Sequence, residues 1–567
     1  MKTIHFLVIF SISLFFCSCS KEPDDKVKNP LDINERENLE VLCKVWGLVK
    51  YHHPAFMKDS SRDADADLLD LIPKIMEANV QTRNQILFNW IKELGLYDSS
   101  KGGFDQYVRS KRIGSQTTKQ EAIVDLFWME NEEILGTKLA AELPKIRYAI
   151  RSNRNKYLEQ EIGFSFINFL EKGYADLTDP STEYRLLALF RYWNIIEYFY
   201  PVKYHLPRHW DDILYEYIPV FVQATGMLKY RLAVARMIAE TCDAMCNYNN
   251  IDWVPIFGNH FIYSFTTTFA EERLIVNNAF FLSGSQLKVG DEIVSIGGCS
   301  LEDIKSKISE YCSISNHAEL LRLVNYWARY TNDPTPLVQF LSDGKLITQV
   351  FPTKQIREEP SQTAVSAKAF PVSYTLVEEG DIGYMNTNYF QPEQSSEMMN
   401  TFKDTKGIII DNRGYSSLIQ NLAYGYFTNI NQVFCEFGIG DIMTPGIFYL
   451  YNRSNTLAGI NYGTYSGKVV IIVNENTRTE WNTMALQTIP GSITIGSQTP
   501  GAIASTATVI LPGNISTTMS ISLNRYPNGD DAQFNGIRID IEVKPTIAGI
   551  KAGRDELYEK AVELILR

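Results

Sequence analysis

Between residues 36 and 250, apolar positions recur three and four apart, the spacing that lays a single stripe along an α-helix. This stretch is predicted to be a helical region. Within it a pattern returns: Leu42, Trp46, Tyr51 and Pro54 reappear as Leu189, Trp193, Tyr198 and Pro201 with the same internal spacing. Each copy predicts an amphipathic helix ended by proline, which removes a donor from the hydrogen-bond ladder. Aromatic side chains at such a spacing belong to a core. From 251 to 360 the period shortens. Leu287 to Gly298 reads as turn, alternating strand and turn, and Leu301 to Tyr311 as a helix. From 361 to 567 strand and helix signals alternate. Asp381–Met385, Gly407–Asp411, Val469–Val473 and Ser492–Gly496 predict strands, and Glu480–Thr488 a helix. Runs that are apolar at nearly every position, such as GIIID, fit strands buried on both faces, hence a mainly parallel sheet. The predicted fold class is multidomain α+β: a helical N-terminal region, a β module, and an α/β domain on a mainly parallel sheet. Sites in such sheets form beyond the carboxyl ends of the strands. That places the candidate crevice at Asp411–Ser417 and Asn474–Glu480.

A chain of 567 residues exceeds what one core supports. Its beginning adds an address. Residues 1–19 combine Lys2, an apolar stretch from Ile4 to Phe16, and Ser18 before Cys19, with polar sequence immediately after. The stretch is too short to span a bilayer. Its form is that of a bacterial lipoprotein signal with Cys19 as the acylated residue, or else of a plain secretory signal cut nearby. Residues 20–35 read as a tether, and the expected location is the cell envelope, with membrane contact through the lipid anchor alone. A net charge of -12 with no basic run excludes a nucleic-acid partner. Cys242 and Cys246, four apart on a predicted helix, read as small buried hydrophobes, with a disulfide as the other option. His52-His53 before Pro54 reads as a helix end where imidazolium complements the dipole. His205 and His209 are four apart but flank Pro207 without a carboxylate pair, so no metal or other cofactor is predicted.

The segment Leu287–Gly298, with Gly290-Asp291 leading into Ile293 and Ile296, resembles the hairpin of PDZ domains, which bind peptide ends as an added strand; any hairpin beside a helix would look alike. On that resemblance Leu287, Gly290 and Ile293 are candidate peptide-binding positions. Residues from about 180 to 560 resemble the C-terminal processing (tail-specific) serine peptidases, in their tricorn-core-like branch. The pieces that carry the resemblance stand in order: RLLALFRYWNIIEYFYP, Asp243–Asn247, the hairpin, GIIIDNRG, GKVVIIVNENTRTEWNTMALQ, TIGSQTPGA and GIRIDIEVKPTIAGIKAGRDELYEKA. The resemblance implies proteolysis of peptide or protein segments, with Gly414 on the oxyanion side.

Several implied positions depart from the family pattern. The nucleophilic serine of a Ser-x-x-Glu turn corresponds to Thr477 of Thr477-Arg478-Thr479-Glu480, and a capping box would account for the same residues. The catalytic histidine corresponds to Met245, which accepts no proton near neutrality. The lysine used by other branches corresponds to Ala502, and no lysine lies between Lys468 and Lys544. The last histidine of the chain is His317. The favoured expectation is therefore a non-catalytic, peptide-binding homologue. The alternative is an active serine-type endopeptidase using Thr477 with an unorthodox base.

Overall fold

The computed structural model describes residues 31–99, 112–113, 116–151, 154–160, 166–249, 254–258, 260–279, 285–355, 370–415, 423–428, 431–454 and 464–567. Cys19 and the first part of the tether lie outside them. Helix α1 (Ile33–His52) starts inside the stretch assigned to the tether. Asp32 and Glu35 form a reciprocal capping box there that satisfies its first free N–H groups.

The helical region continues through α2 (Ala64–Met76), α3 (Val80–Glu93), strand β1 (Lys119–Ala122), α4 (Glu132–Arg147), α5 (Thr182–Phe199), α6 (Trp210–Gln223) and α7 (Met227–Ala239). The sequence repeat is a structural repeat. Trp46 Nε1 donates to the Ala64 carbonyl at 2.7 Å, and Trp193 Nε1 to the Trp210 carbonyl at 2.9 Å, so each indole ties its helix to the first residue of the next. The two copies pack against each other. The Tyr51 and Tyr198 rings meet edge-on at 5.6 Å, and Gly47 lies so close to Asn194 that any Cβ would overlap its amide. Asn194 Nδ2 donates to the Cys43 carbonyl at 3.0 Å.

Under this crossing lies an ion quartet whose four side chains have no solvent exposure. Lys50 Nζ is 2.8 Å from Glu171 and 3.6 Å from Asp65, while Arg191 is 2.6 Å from Asp65 and 3.1 Å from Glu171.

Two expectations for this region are corrected. His52 and His53 are buried, and burial pushes both imidazoles down, His53 to about 4, so they are neutral rather than dipole-complementing cations. His52 Nδ1 bonds the Leu48 carbonyl at 2.9 Å. Cys242 and Cys246 lie beyond the end of α7, and Cys242 has a φ of 46° in the turn that follows it; both are free thiols, Cys246 buried and Cys242 half-buried.

The middle module is an antiparallel sheet of β2 (Phe265–Ala270), β3 (Arg273–Ala279), β4 (Glu292–Ile296), β5 (Leu337–Ser342) and β6 (Lys345–Val350), in the order β6-β5-β4-β3-β2, with helices α8 (Leu301–Tyr311) and α9 (His317–Trp327). Leu287 and Ile293 face its core beside Val276, Val338 and Phe340. Gly290, at φ 89°, lies under Lys551, where a Cβ would strike the lysine stem.

The C-terminal part contains β7 (Tyr374–Val377), β8 (Ile382–Asn386), α10 (Ser395–Phe402), β9 (Gly407–Asp411), β10 (Val433–Gly440), β11 (Ile447–Ser454), β12 (Lys468–Val473), α11 (Glu480–Leu486), β13 (Ile493–Gly496), β14 (Thr506–Leu511), β15 (Ile515–Ser520), β16 (Ser522–Arg525), β17 (Ile541–Glu542), α12 (Ile547–Lys551) and α13 (Glu556–Leu566). Its main sheet runs β7-β8-β9-β12-β13-β17, parallel throughout except for β7. The apolar runs are explained by burial on both faces. Ile408, Ile410, Val469 and Ile471 meet Met398 and Phe402 of α10, whereas Ile409, Val470 and Ile472 meet Leu557, Ala561 and Ile565 of α13.

Two pieces interlock this part with the helices. Strand β1 pairs with β11, and the β14–β15 hairpin contributes Val509, Leu511 and Met519 to the core that holds Trp46 and Trp193.

Candidate functional site

Three loops leave the carboxyl ends of neighbouring parallel strands: Asn412–Tyr415 after β9, Asn474–Thr479 after β12, and Ser497–Ala502 after β13. The first is pinned from several sides. Asn412 Nδ2 donates to Thr483 Oγ1 at 2.6 Å, and Thr387 Oγ1 donates to Asn412 Oδ1 at 2.8 Å. Arg413 reaches across to the N-terminus of α13. It bonds Asp411 at 2.9 and 2.6 Å and Asp555 at 2.9 and 2.8 Å, so both carboxylates grip one guanidinium. Gly414 has no room for a side chain because Asn388 occupies that space, and its carbonyl accepts the Arg478 N–H at 2.9 Å.

Thr477 is fully buried in the second loop. Its hydroxyl donates to the Asn412 carbonyl at 2.8 Å and accepts the Asn474 N–H at 3.1 Å. Both partners are main chain. The hydroxyl thus staples the β12 turn to the β9 turn. No capping box forms, because α11 begins at Glu480 with Thr479 as its N-cap and no side-chain bond at the cap. The physical reason is that Thr477 sits upstream of the helix start, where its hydroxyl reaches the neighbouring loop instead. Thr477→Ala should lower stability by about 2 kcal/mol, since it orphans a buried N–H and a buried carbonyl. Thr477→Ser, which keeps both bonds, should cost under about 1 kcal/mol; urea midpoints at constant slope decide.

Glu480 turns away from its own helix end. Its Oε1 accepts from the Thr499 hydroxyl and, at 2.7 Å, from the Gly501 N–H, joining α11 to the third loop. Burial raises this carboxyl to about 7, against the opposing pull of those two donors. Burial also raises Glu475 on the same turn.

The middle module closes over this end of the sheet. Asn316, the N-cap of α9, donates to the Thr499 carbonyl at 2.9 Å and the Phe534 carbonyl at 2.6 Å, and Ser315 donates to the Pro500 carbonyl. Glu319 of α9 is held by Arg322 through bonds of 2.6 and 2.7 Å, and Arg478 Nη1 approaches it at 3.5 Å.

The bonds of Met245 run elsewhere. Its N–H meets Asp243 Oδ1 at 2.9 Å and its carbonyl accepts from Thr518 of β15 at 2.8 Å. Asp243 is the hub of that segment, accepting from Tyr200 at 3.0 Å, Ser520 at 2.6 Å and Gln533 at 3.1 Å. Its carboxyl is pushed up by burial. Ala502 is buried in the third loop. His205 pairs with Asp531 at 2.8 Å. Among the described residues no group of three or more His, Cys, Asp or Glu side chains is arranged to hold a metal ion.

The structure places Thr477 and Gly414 on the two adjoining loops that the sequence singled out. Sequence reasoning missed Arg478, Glu319, Arg322 and Thr499, whose association depends on α9 arriving from far upstream. A charged residue inside a short turn, at Arg478, was the one local hint.

No protein-family model matches the sequence, and no curated protein matches it. Solved structures do. Mature CPAF complexed with lactacystin matches with a TM-score of 0.52 at 12% identity, covering 68% of this chain and 98% of that one. Uncomplexed mature CPAF gives 0.52 at 12% identity, covering 68% and 96%. The photosystem II D1 C-terminal processing protease aligns over 63% of this chain and 92% of its own at 16% identity, with a TM-score of 0.37 that carries no weight. The fold is thus multidomain α+β. Over about two thirds of its length the chain therefore shares its fold with mature CPAF.

Proposed function

We propose that this chain is a non-catalytic, peptide-binding protein on a C-terminal processing peptidase scaffold, tethered to a bacterial cell envelope by lipid on Cys19. One observation carries the reading: the Thr477 hydroxyl, at the position of the family's serine, is on a fully buried residue and gives its proton to the Asn412 carbonyl. A nucleophile needs access to the substrate and a base beside it. A main-chain carbonyl is no base, and Met245 and Ala502 bring none.

Peptide binding is supported by strand β2, which ends the middle sheet and packs beside α9. An end strand next to a helix offers main-chain groups to an extended segment. On this reading Leu287 and Ile293 act from beneath, setting the shape of that sheet, and Gly290 by letting the module seat closely against Lys551.

Incubation of the full chain with unfolded casein, read by gel and by binding, should give association without turnover. Cleavage that persists in Thr477→Ser and vanishes in Thr477→Ala would overturn the proposal in favour of a threonine-dependent peptidase.

A further inference from the structure

The crevice contains two arginines with opposite fates. Arg413 is saturated: two carboxylates grip it through four bonds between 2.6 and 2.9 Å. Arg478, on the adjoining loop, is not. Its nearest acid is Glu319, at 3.5 Å, beyond hydrogen-bond reach for a guanidinium. Both oxygens of Glu319 are already taken by Arg322, at 2.6 and 2.7 Å. Two guanidiniums therefore share one carboxylate, and Arg478 Nη1 is a buried donor without a hydrogen-bond partner.

The remaining charged neighbours do not resolve this. Glu480 spends Oε1 on Thr499 and Gly501, and Glu475 faces Ser497 and Asn476. Burial, then the charge of Arg322, holds the Arg478 guanidinium below its usual pKa. A buried donor and an under-neutralised cation both cost stability unless something else completes them.

The placement favours a ligand as that completion. The base of the side chain is fixed, because the Arg478 N–H bonds the Gly414 carbonyl at 2.9 Å. Although Nη1 is buried, 28% of the side chain reaches solvent. Next to Gly414 in the chain, Tyr415 is 72% exposed. A planar guanidinium with a free fork recognises carboxylates in two-bond geometry.

We infer that Arg478, backed by Arg322, is the receptor for a carboxylate of the bound peptide, either its free C-terminus or an Asp or Glu side chain. The inference rests on the peptide-binding reading above and names its substrate class. The turn that carries a nucleophile in the family carries an anion receptor here.

The test uses the full chain and three pools of random nonapeptides: one lacking Asp and Glu with a free C-terminal carboxylate, the same pool amidated, and an amidated pool containing Asp and Glu. Binding is read by equilibrium capture and mass spectrometry. The first or the third pool should bind at least tenfold better than the second, and which of them does so identifies the source of the carboxylate. Arg478→Gln should erase the difference, and Arg478→Lys should restore part of it. Equal binding of all three pools by the wild-type chain, a comparison that needs no variant, would overturn the inference while leaving peptide binding intact. Failure of all three to bind would overturn both.

Discussion

Arg191→Met should lower the stability of this protein by about 3–5 kcal/mol, the cost of breaking a fully buried ion network by removing one partner. Arg191 faces Asp65 at 2.6 Å and Glu171 at 3.1 Å, all with no side-chain exposure, and only Lys50 would remain to balance two buried carboxylates. The same guanidinium donates to the Ile510 carbonyl at 2.7 Å and the Lys172 carbonyl at 2.9 Å, so the β14–β15 hairpin loses its anchor in the helical core as well. Methionine keeps most of the side-chain length, which separates loss of charge from creation of a cavity. Chemical unfolding measures the difference, and amide exchange in β14 should rise with it. A loss under about 1 kcal/mol would mean that the quartet is not the rigid desolvated unit its burial describes.

Glu480→Gln should remove a pH dependence of stability. The Glu480 carboxyl stands at about 7 in the folded protein, above its ordinary value of 4.5, chiefly because of burial. The folded state therefore holds its proton more tightly than the unfolded state. Its contribution is fully present below about pH 4.5 and is lost as pH rises through about 7, a difference on the order of 3 kcal/mol at alkaline pH. Glutamine mimics the protonated form and keeps an oxygen for the Thr499 and Gly501 donors. The variant should match the wild type near pH 5 and exceed it near pH 8. Glu197, raised by burial to about 7 as well, titrates in both proteins, so the difference between them isolates Glu480. Identical unfolding free energies at pH 8 would show that Glu480 sits ionised among its donors.

Much of the scaffold could be read along the chain because it depends on short periods. The βαβ unit from β12 through α11 to β13 follows from apolar runs separated by a helical stretch, and helix α8 spans Leu301–Tyr311 as its pattern predicts. The repeat in α1 and α5 was legible because Leu, Trp, Tyr and Pro recur at identical spacing, and both helices, expected to be amphipathic, are instead buried on nearly every side. Errors arose where burial overrode a local rule. At the end of α1, His52 and His53 follow the charge preference of a helix terminus, yet packing strips them of water and of their protons. In Thr477-Arg478-Thr479-Glu480 the spacing suits a capping box, but the hydroxyl of Thr477 finds a carbonyl on another strand's loop and the carboxylate of Glu480 finds Thr499.

Sequence alone determined four strands of the main sheet (β8, β9, β12 and β13), helix α11 and the loops at their carboxyl ends, because hydrophobic periodicity and turn chemistry act over a few residues. It also determined which side chains stand at Thr477, Met245 and Ala502. Only the tertiary structure decided what those loops do. Whether a hydroxyl is free or spent, whether a carboxyl keeps its proton, and whether an arginine is matched or left open all depend on groups brought within a few ångströms from distant parts of the chain. Asn412 beside Thr477 and Glu319 beside Arg478 are such meetings. Hydrogen bonding and desolvation act at contact range, and the folded chain alone sets those contacts.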